Sequence, residues 1–160
     1  MIPRTFARIT SLAVLLTAAA ALLMVSHVAL RAATDPWTPS QTVQPADLLK
    51  ELSDSKSALT IVFVGFNRLY TAGHIKGAQN HGMAGNEAGL LELKTWASSL
   101  PRSNKLVIYC GCCPMDRCPN LRPAFAALRD LGFSKLRVLL LPTDFAADWA
   151  DKGYPFDRGQ

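Results

Sequence analysis

Three short apolar runs constrain this chain most: residues 59–64 (Leu-Thr-Ile-Val-Phe-Val), 105–109 (Lys-Leu-Val-Ile-Tyr) and 136–141 (Leu-Arg-Val-Leu-Leu-Leu). Such runs lack the polar alternation of a half-exposed strand, so they read as strands covered on both faces, the condition of a parallel sheet. Segments with helical spacing separate them. Residues 45–52 place apolar side chains at 46, 48, 49 and 52 behind Pro45, which suits a first helical turn. Residues 68–72 predict a brief helical turn ended by Gly73, and residues 87–98 a helix carrying Ala88, Leu90, Leu91, Leu93 and Trp96. Residues 122–131 predict a helix closed by Gly132, and residues 144–151 a last one. Strand and helix alternate, which predicts an α/β fold with a mostly parallel sheet.

A fourth apolar stretch, residues 11–30, is too long for a strand and about as long as a bilayer is thick. Arg4 and Arg8 precede it, so residues 1–33 are expected to be a signal peptide or membrane anchor, with Leu30-Arg31-Ala32 a weak match to a cleavage site. The positive flank keeps that end in the cytoplasm and places the remainder on the periplasmic side, either secreted or held to the inner membrane. Residues 34–40, with Pro36 and Pro39, read as a linker, and residues 41–160 as one domain. Removing Arg4, Arg8 and Arg31 from the formal charge of +5 leaves about +2. No run of lysine and arginine interleaved with aromatics remains, so nucleic acid is not an expected partner. A small anionic substrate is compatible with that charge.

All four cysteines fall within Cys110-Gly-Cys-Cys-Pro-Met-Asp-Arg-Cys118, directly after the second apolar run. In open parallel sheets ligands sit beyond the carboxyl ends of the strands, and Cys110 takes that place. A thiolate there, ahead of a helix, is stabilised by backbone N–H groups and the positive end of the helix dipole, and so is nucleophilic at neutral pH. The same donors can hold a persulfide or an oxyanion. Cys110 is therefore the candidate catalytic residue. Gly111, Cys112, Cys113, Met115, Asp116, Arg117 and Cys118 form the loop around the substrate, with Arg117 and Arg122 as sources of positive charge. The extra cysteines admit three readings: a disulfide from Cys112 or Cys113 to Cys118, a thiol that resolves an adduct on Cys110, or a metal or iron–sulfur site. Adjacent Cys112 and Cys113 do not match the paired knuckles of structural zinc sites, so neither a metal nor a cofactor is assigned.

Residues 70–80, Tyr-Thr-Ala-Gly-His-Ile-Lys-Gly-Ala-Gln-Asn, resemble the signature of the rhodanese family: Tyr, two residues, Gly-His-Ile, one residue, Gly-Ala. Residues 106–110 are similar to the strand that delivers that family's catalytic cysteine. Residues 128–133 and 138–141 resemble the helix and strand that follow it, and residues 149–155 its usual close. The resemblance covers about 120 residues, from Trp37 onward. It implies a central parallel sheet with helices on both faces. It also implies a cysteine, by position Cys110, that takes a sulfane sulfur from a donor such as thiosulfate and passes it to a thiol or other nucleophile. Two departures stand out. The family's acidic-x-Arg pair would align with Phe63 and Gly65, and the loop after Cys110 is longer than the family's six-residue cradle by roughly five residues, with Pro114 and Pro119 lacking backbone donors. A thiol-redox or metal-binding module on the same scaffold is the alternative.

The remaining polar candidates have local explanations. His74 holds a turn more plausibly than it acts as a base, and His81 follows the signature as a candidate neighbour of the site. His27 lies in the apolar N-terminal stretch. Asp116 and Asp144 suit a solvated loop and a helix cap, and Trp96 and Trp149 suit apolar helix faces. A phosphatase would need Cys-x5-Arg, but from Cys110 that position is Asp116, whose carboxylate repels phosphate.

Overall fold

The computed structural model describes residues 35–54 and 58–159, and the candidate targeting segment lies outside them. The three apolar runs become β2 (Leu59–Phe63), β5 (Lys105–Tyr109) and β6 (Leu136–Leu139). Two short strands, β1 (Thr42–Val43) and β4 (Gln79–Asn80), flank them in a five-stranded sheet of order β1-β6-β5-β2-β4. Every pairing in it is parallel, and β2 and β5 run in register from Leu59 opposite Lys105 to Phe63 opposite Tyr109. A separate antiparallel pair joins β3 (His74–Ile75) to β7 (Phe156–Asp157). The four two-residue strands carry no periodicity that a sequence could reveal.

The helices are α1 (Pro45–Ser53), α2 (Asn67–Ala72), α3 (Glu87–Ser98), α4 (Leu121–Asp130) and the single turn α5 (Phe145–Asp148). The helix expected over 144–151 breaks at Trp149 (φ −131°, ψ −64°) and resumes as a 3-10 turn, Ala150–Lys152. Alternation along the strands divides the core into two layers. Val62, Leu106, Ile108, Leu136 and Val138 pack with Leu93 and Ala97 of α3 and with Ala124, Phe125 and Leu128 of α4. Ile61, Phe63, Val107, Tyr109 and Leu139 pack on the opposite face with Leu48 of α1 and with Trp149. Both faces are covered, as unalternated strands require, and each fully buried large side chain contributes about 1.5–3 kcal/mol.

Arg137 of β6 donates to both carboxylate oxygens of Glu51 on α1, at 2.7 and 2.6 Å. The guanidinium holds the Glu51 carboxyl below its usual range. Two residues of the stretch expected to be a linker touch the domain. Trp37 is buried edge-on against Phe125, and Asp35 pairs with Arg122 at 2.6 Å. Asp35 to Gln160 form one compact unit. Among the described residues no helix is long and apolar enough to cross a membrane.

Candidate active site

The site begins where β5 ends. Alternation continues one residue past the strand, so Cys110 follows Ile108 onto the α4 face while Tyr109 turns to the other. Tyr109 anchors the junction: its hydroxyl accepts the backbone N–H of Ile75 at 2.9 Å, and burial raises its pKa. Gly111 then reverses the chain in a left-handed conformation, φ +67°. A Cβ there would stand 2.7 Å from that of Phe145, whose N–H donates to the Gly111 carbonyl at 3.1 Å.

Beyond Gly111 the loop folds its sulfurs together. Cys110 Sγ lies 3.1 Å from Cys112 Sγ, and Cys112 Sγ lies 3.1 Å from Cys113 Sγ. The sulfurs of Cys110, Cys112 and Cys118 all lie within 4.8 Å of one another. Cys110 and Cys118 are buried, Cys112 and Cys113 are half-buried, and all four are free thiols. Met115 to Arg117 form a 3-10 turn that swings the chain back toward α4. Met115 packs on the α3–α4 layer, while Asp116 and Arg117 face solvent.

The helix N-terminus expected to serve Cys110 serves Cys118 instead. The Cys118 sulfur accepts the thiol of Cys110 and the backbone N–H groups of Asn120 and Leu121, which outweighs its burial and lowers its pKa to about 6. Cys110 moves the opposite way, because its thiol is a donor to Cys118 and is buried. Burial and contact with Cys112 push Cys113 up to about 12. These opposite shifts favour a thiolate at Cys118 over one at Cys110, whose thiol also donates to Cys112 Sγ at 3.1 Å.

Asn120, which sequence reasoning passed over, holds this arrangement. It is fully buried, its Nδ2 donates to Cys110 Sγ at 3.2 Å, and its Oδ1 accepts the N–H of Gly85 at 2.8 Å. Its side chain is thereby withdrawn from capping α4. An amide between Pro119 and the first apolar residue of a helix was the available signal, but it reads equally well as an ordinary cap.

Cys110, Gly111 and Cys112 line a cleft of about 510 Å³ together with Phe63, Gly73 and Phe145. Arg158, Asp144 and Asp151 supply its charges, and Arg158 was a second residue the sequence did not single out. A cleft of similar volume, about 480 Å³, lies by the amino ends of β5 and β6 among Glu51, Lys105 and Arg137, and holds no thiol. The departure at Phe63 and Gly65 has a packing reason. Phe63 is buried edge-on against Tyr109, and a Cβ at Gly65 would stand 2.7 Å from the Phe63 ring and 3.0 Å from Cys110 Sγ.

The other candidates fall outside this cluster. His74 Nδ1–H donates to the Tyr70 carbonyl at 2.8 Å and its ring stacks on Tyr70, so it holds the turn. His81 stacks on Trp96 at 3.9 Å, away from the residues lining the cleft, and burial lowers its pKa. Asp144 caps α5 by accepting the N–H of Ala147. Arg122 is engaged by Asp35 at 2.6 Å and adds no charge to the thiols.

No model of a known protein family matches the sequence, and no curated protein matches it. Among solved structures the chain is similar to the rhodanese-like domain of an Anabaena protein, at 25% identity over 74% of this chain and 79% of that one, with a TM-score of 0.55. It is also similar to a Rhodopseudomonas palustris protein of unknown function, a possible tyrosine phosphatase, at 21% identity over 73% of this chain and 84% of that one (TM-score 0.53). A thiosulfate sulfurtransferase from Pseudomonas aeruginosa matches at 20% identity and a TM-score of 0.50; the likeness covers 74% of this chain but 19% of that one. The fold is rhodanese-like, and its four cysteines cluster in the loop after the central strand.

Proposed function

We propose that this rhodanese-like domain is a sulfurtransferase or persulfide carrier in which Cys110 accepts a sulfane sulfur and passes it to a thiol or other nucleophile. The observation that carries the reading is the position of Cys110, at the carboxyl end of β5 and in the wall of the cleft. As Cys110 Sγ attacks the outer sulfur of the donor, its proton passes to the Cys118 thiolate. The donor S–S bond breaks, and its electron pair leaves on the donor thiolate, or on sulfite when the donor is thiosulfate. An acceptor thiolate then attacks the outer sulfur of the Cys110 persulfide, and the displaced electron pair returns to Cys110 Sγ with the proton from Cys118. Two carboxylates stand against one guanidinium in the cleft, which favours a sulfane sulfur carried on a thiol over the thiosulfate dianion.

The test is to incubate reduced protein with glutathione persulfide or thiosulfate and measure intact mass. A gain of one sulfur, absent in Cys110→Ser, is expected, and no gain from any sulfane donor refutes the reading. Arg4, Arg8 and the apolar stretch 11–30 support export to the periplasmic side. Fusion of the whole chain to alkaline phosphatase is expected to give an active reporter in a bacterial cell, and a silent one counts against export.

The 3.1 Å separation of the Cys110 and Cys112 sulfurs favours a second reading, a thiol-redox module. There a disulfide oxidant takes two electrons and two protons from the pair and leaves a Cys110–Cys112 disulfide. Rapid formation of that bond with oxidised glutathione, without any sulfur adduct, distinguishes it.

A further inference from the structure

The loop 110–118 presents an all-sulfur donor set, and the geometry points to a binding site for one monovalent copper ion held by Cys110, Cys112 and Cys118. This inference does not rest on sulfur transfer, because it concerns what the three sulfurs bind rather than what Cys110 attacks.

The first ground is distance. A metal–thiolate bond of about 2.3 Å places two sulfurs on one ion no more than about 4.6 Å apart. The three sulfurs already lie within 4.8 Å of one another, so a common ion requires only small side-chain rotations. The 3.1 Å Cys110–Cys112 pair opens slightly and the widest pair closes slightly.

The second ground is the chemistry of the donors. Thiolates alone, with no carboxylate or imidazole in the cluster, select soft ions: monovalent copper, zinc or iron–sulfur clusters. The number of sulfurs decides among them. Structural zinc requires four ligands closed into a tetrahedron. Here the fourth cysteine, Cys113, contacts Cys112 and Cys118, yet its sulfur is not within 4.8 Å of all three others and so stands outside the group. As the immediate chain neighbour of Cys112, it is poorly placed to close a tetrahedron around the same ion. Three sulfurs suit the lower coordination of monovalent copper.

The third ground is the shell around the sulfurs. Anionic ligands in a buried centre need hydrogen-bond donors, and these are present: Asn120 Nδ2 to Cys110 Sγ at 3.2 Å, and the N–H groups of Asn120 and Leu121 to Cys118 Sγ. Cys112 is half-buried and lines the cleft, so the group of three is open to solvent on its side. Binding is an exchange of protons for metal. Each thiol that becomes a ligand releases its proton, and neither copper nor sulfur changes oxidation state. An ion at this site occupies Cys110 Sγ and therefore excludes sulfur loading.

The experiment titrates the anaerobically reduced full-length chain with monovalent copper against a chromogenic copper(I) chelator, and X-ray absorption counts the sulfurs on the bound ion. One copper per chain with three sulfur neighbours is expected, and prior loading should abolish the one-sulfur mass gain. Cys112→Ser and Cys118→Ser should each weaken binding by roughly 100-fold, and Cys113→Ser by a few-fold at most. Cys112 is half-buried, so Cys112→Ser keeps the test decisive should Cys118→Ser fail to fold. Copper fully lost to the chelator, equal loss in Cys113→Ser, or a preferred zinc ion with four sulfurs each overturns the proposal. Sulfur loading of the metal-free protein is measured separately, so either reading can fail alone.

Discussion

The surroundings of Cys110 and Cys118 shift the two thiols in opposite directions. The thiol form is favoured at the strand end and the thiolate at the helix start, because backbone N–H groups lie where a chain enters a helix rather than where it leaves a strand. The contacts of Cys118 lower its pKa to about 6. Thiolate absorbance in the ultraviolet should therefore rise through about pH 6 in the wild type, and this step should be missing in Cys118→Ser and present in Cys113→Ser. Asn120→Ala leaves the Gly85 N–H unpaired and removes the donor to Cys110 Sγ. It is expected to lower unfolding free energy by about 2 kcal/mol in chemical denaturation. An unchanged midpoint would show that the bridge from Gly85 to Cys110 contributes nothing to stability.

At the scale of elements, the β5-to-loop junction sets the site. Tyr109 and Cys110 point to opposite layers because a strand alternates, and Gly111 turns the chain immediately afterward. Gly111→Ala combines positive φ with a Cβ clash against Phe145, so a loss of about 1–3 kcal/mol is expected, read as a lower melting temperature. Gly153 is the control: its φ is also positive, but a Cβ there meets nothing, so Gly153→Ala should cost less. β2, β5 and α3 were legible from sequence because each buries a continuous run or a helical stripe. The two-residue strands were not, because their pairing depends on partners distant in the chain, such as His74 opposite Asp157.

For the molecule as a whole, the packed unit reaches back to Asp35. Trp37 fills a place beside Phe125 that the domain expected from residue 41 would leave open. Trp37→Ala in the full chain is expected to cost about 3 kcal/mol, measured by denaturant unfolding. A change below about 0.5 kcal/mol would return residues 35–40 to the status of a linker.

By itself, the sequence determined the α/β class, the three central strands, the rhodanese-like resemblance and the location of all the thiols in one loop. Those properties follow from local pattern: apolar runs, helical periodicity and spacing along nine consecutive residues. Only the tertiary structure decided that Cys118 meets the helix N–H groups, that Asn120 joins Gly85 to Cys110, that Arg122 serves Asp35, and that Gly65 makes room for Cys110 Sγ. Each of these depends on groups brought together from separate elements, and hydrogen bonds and ion pairs act over a few ångströms of space, whatever the distance along the chain.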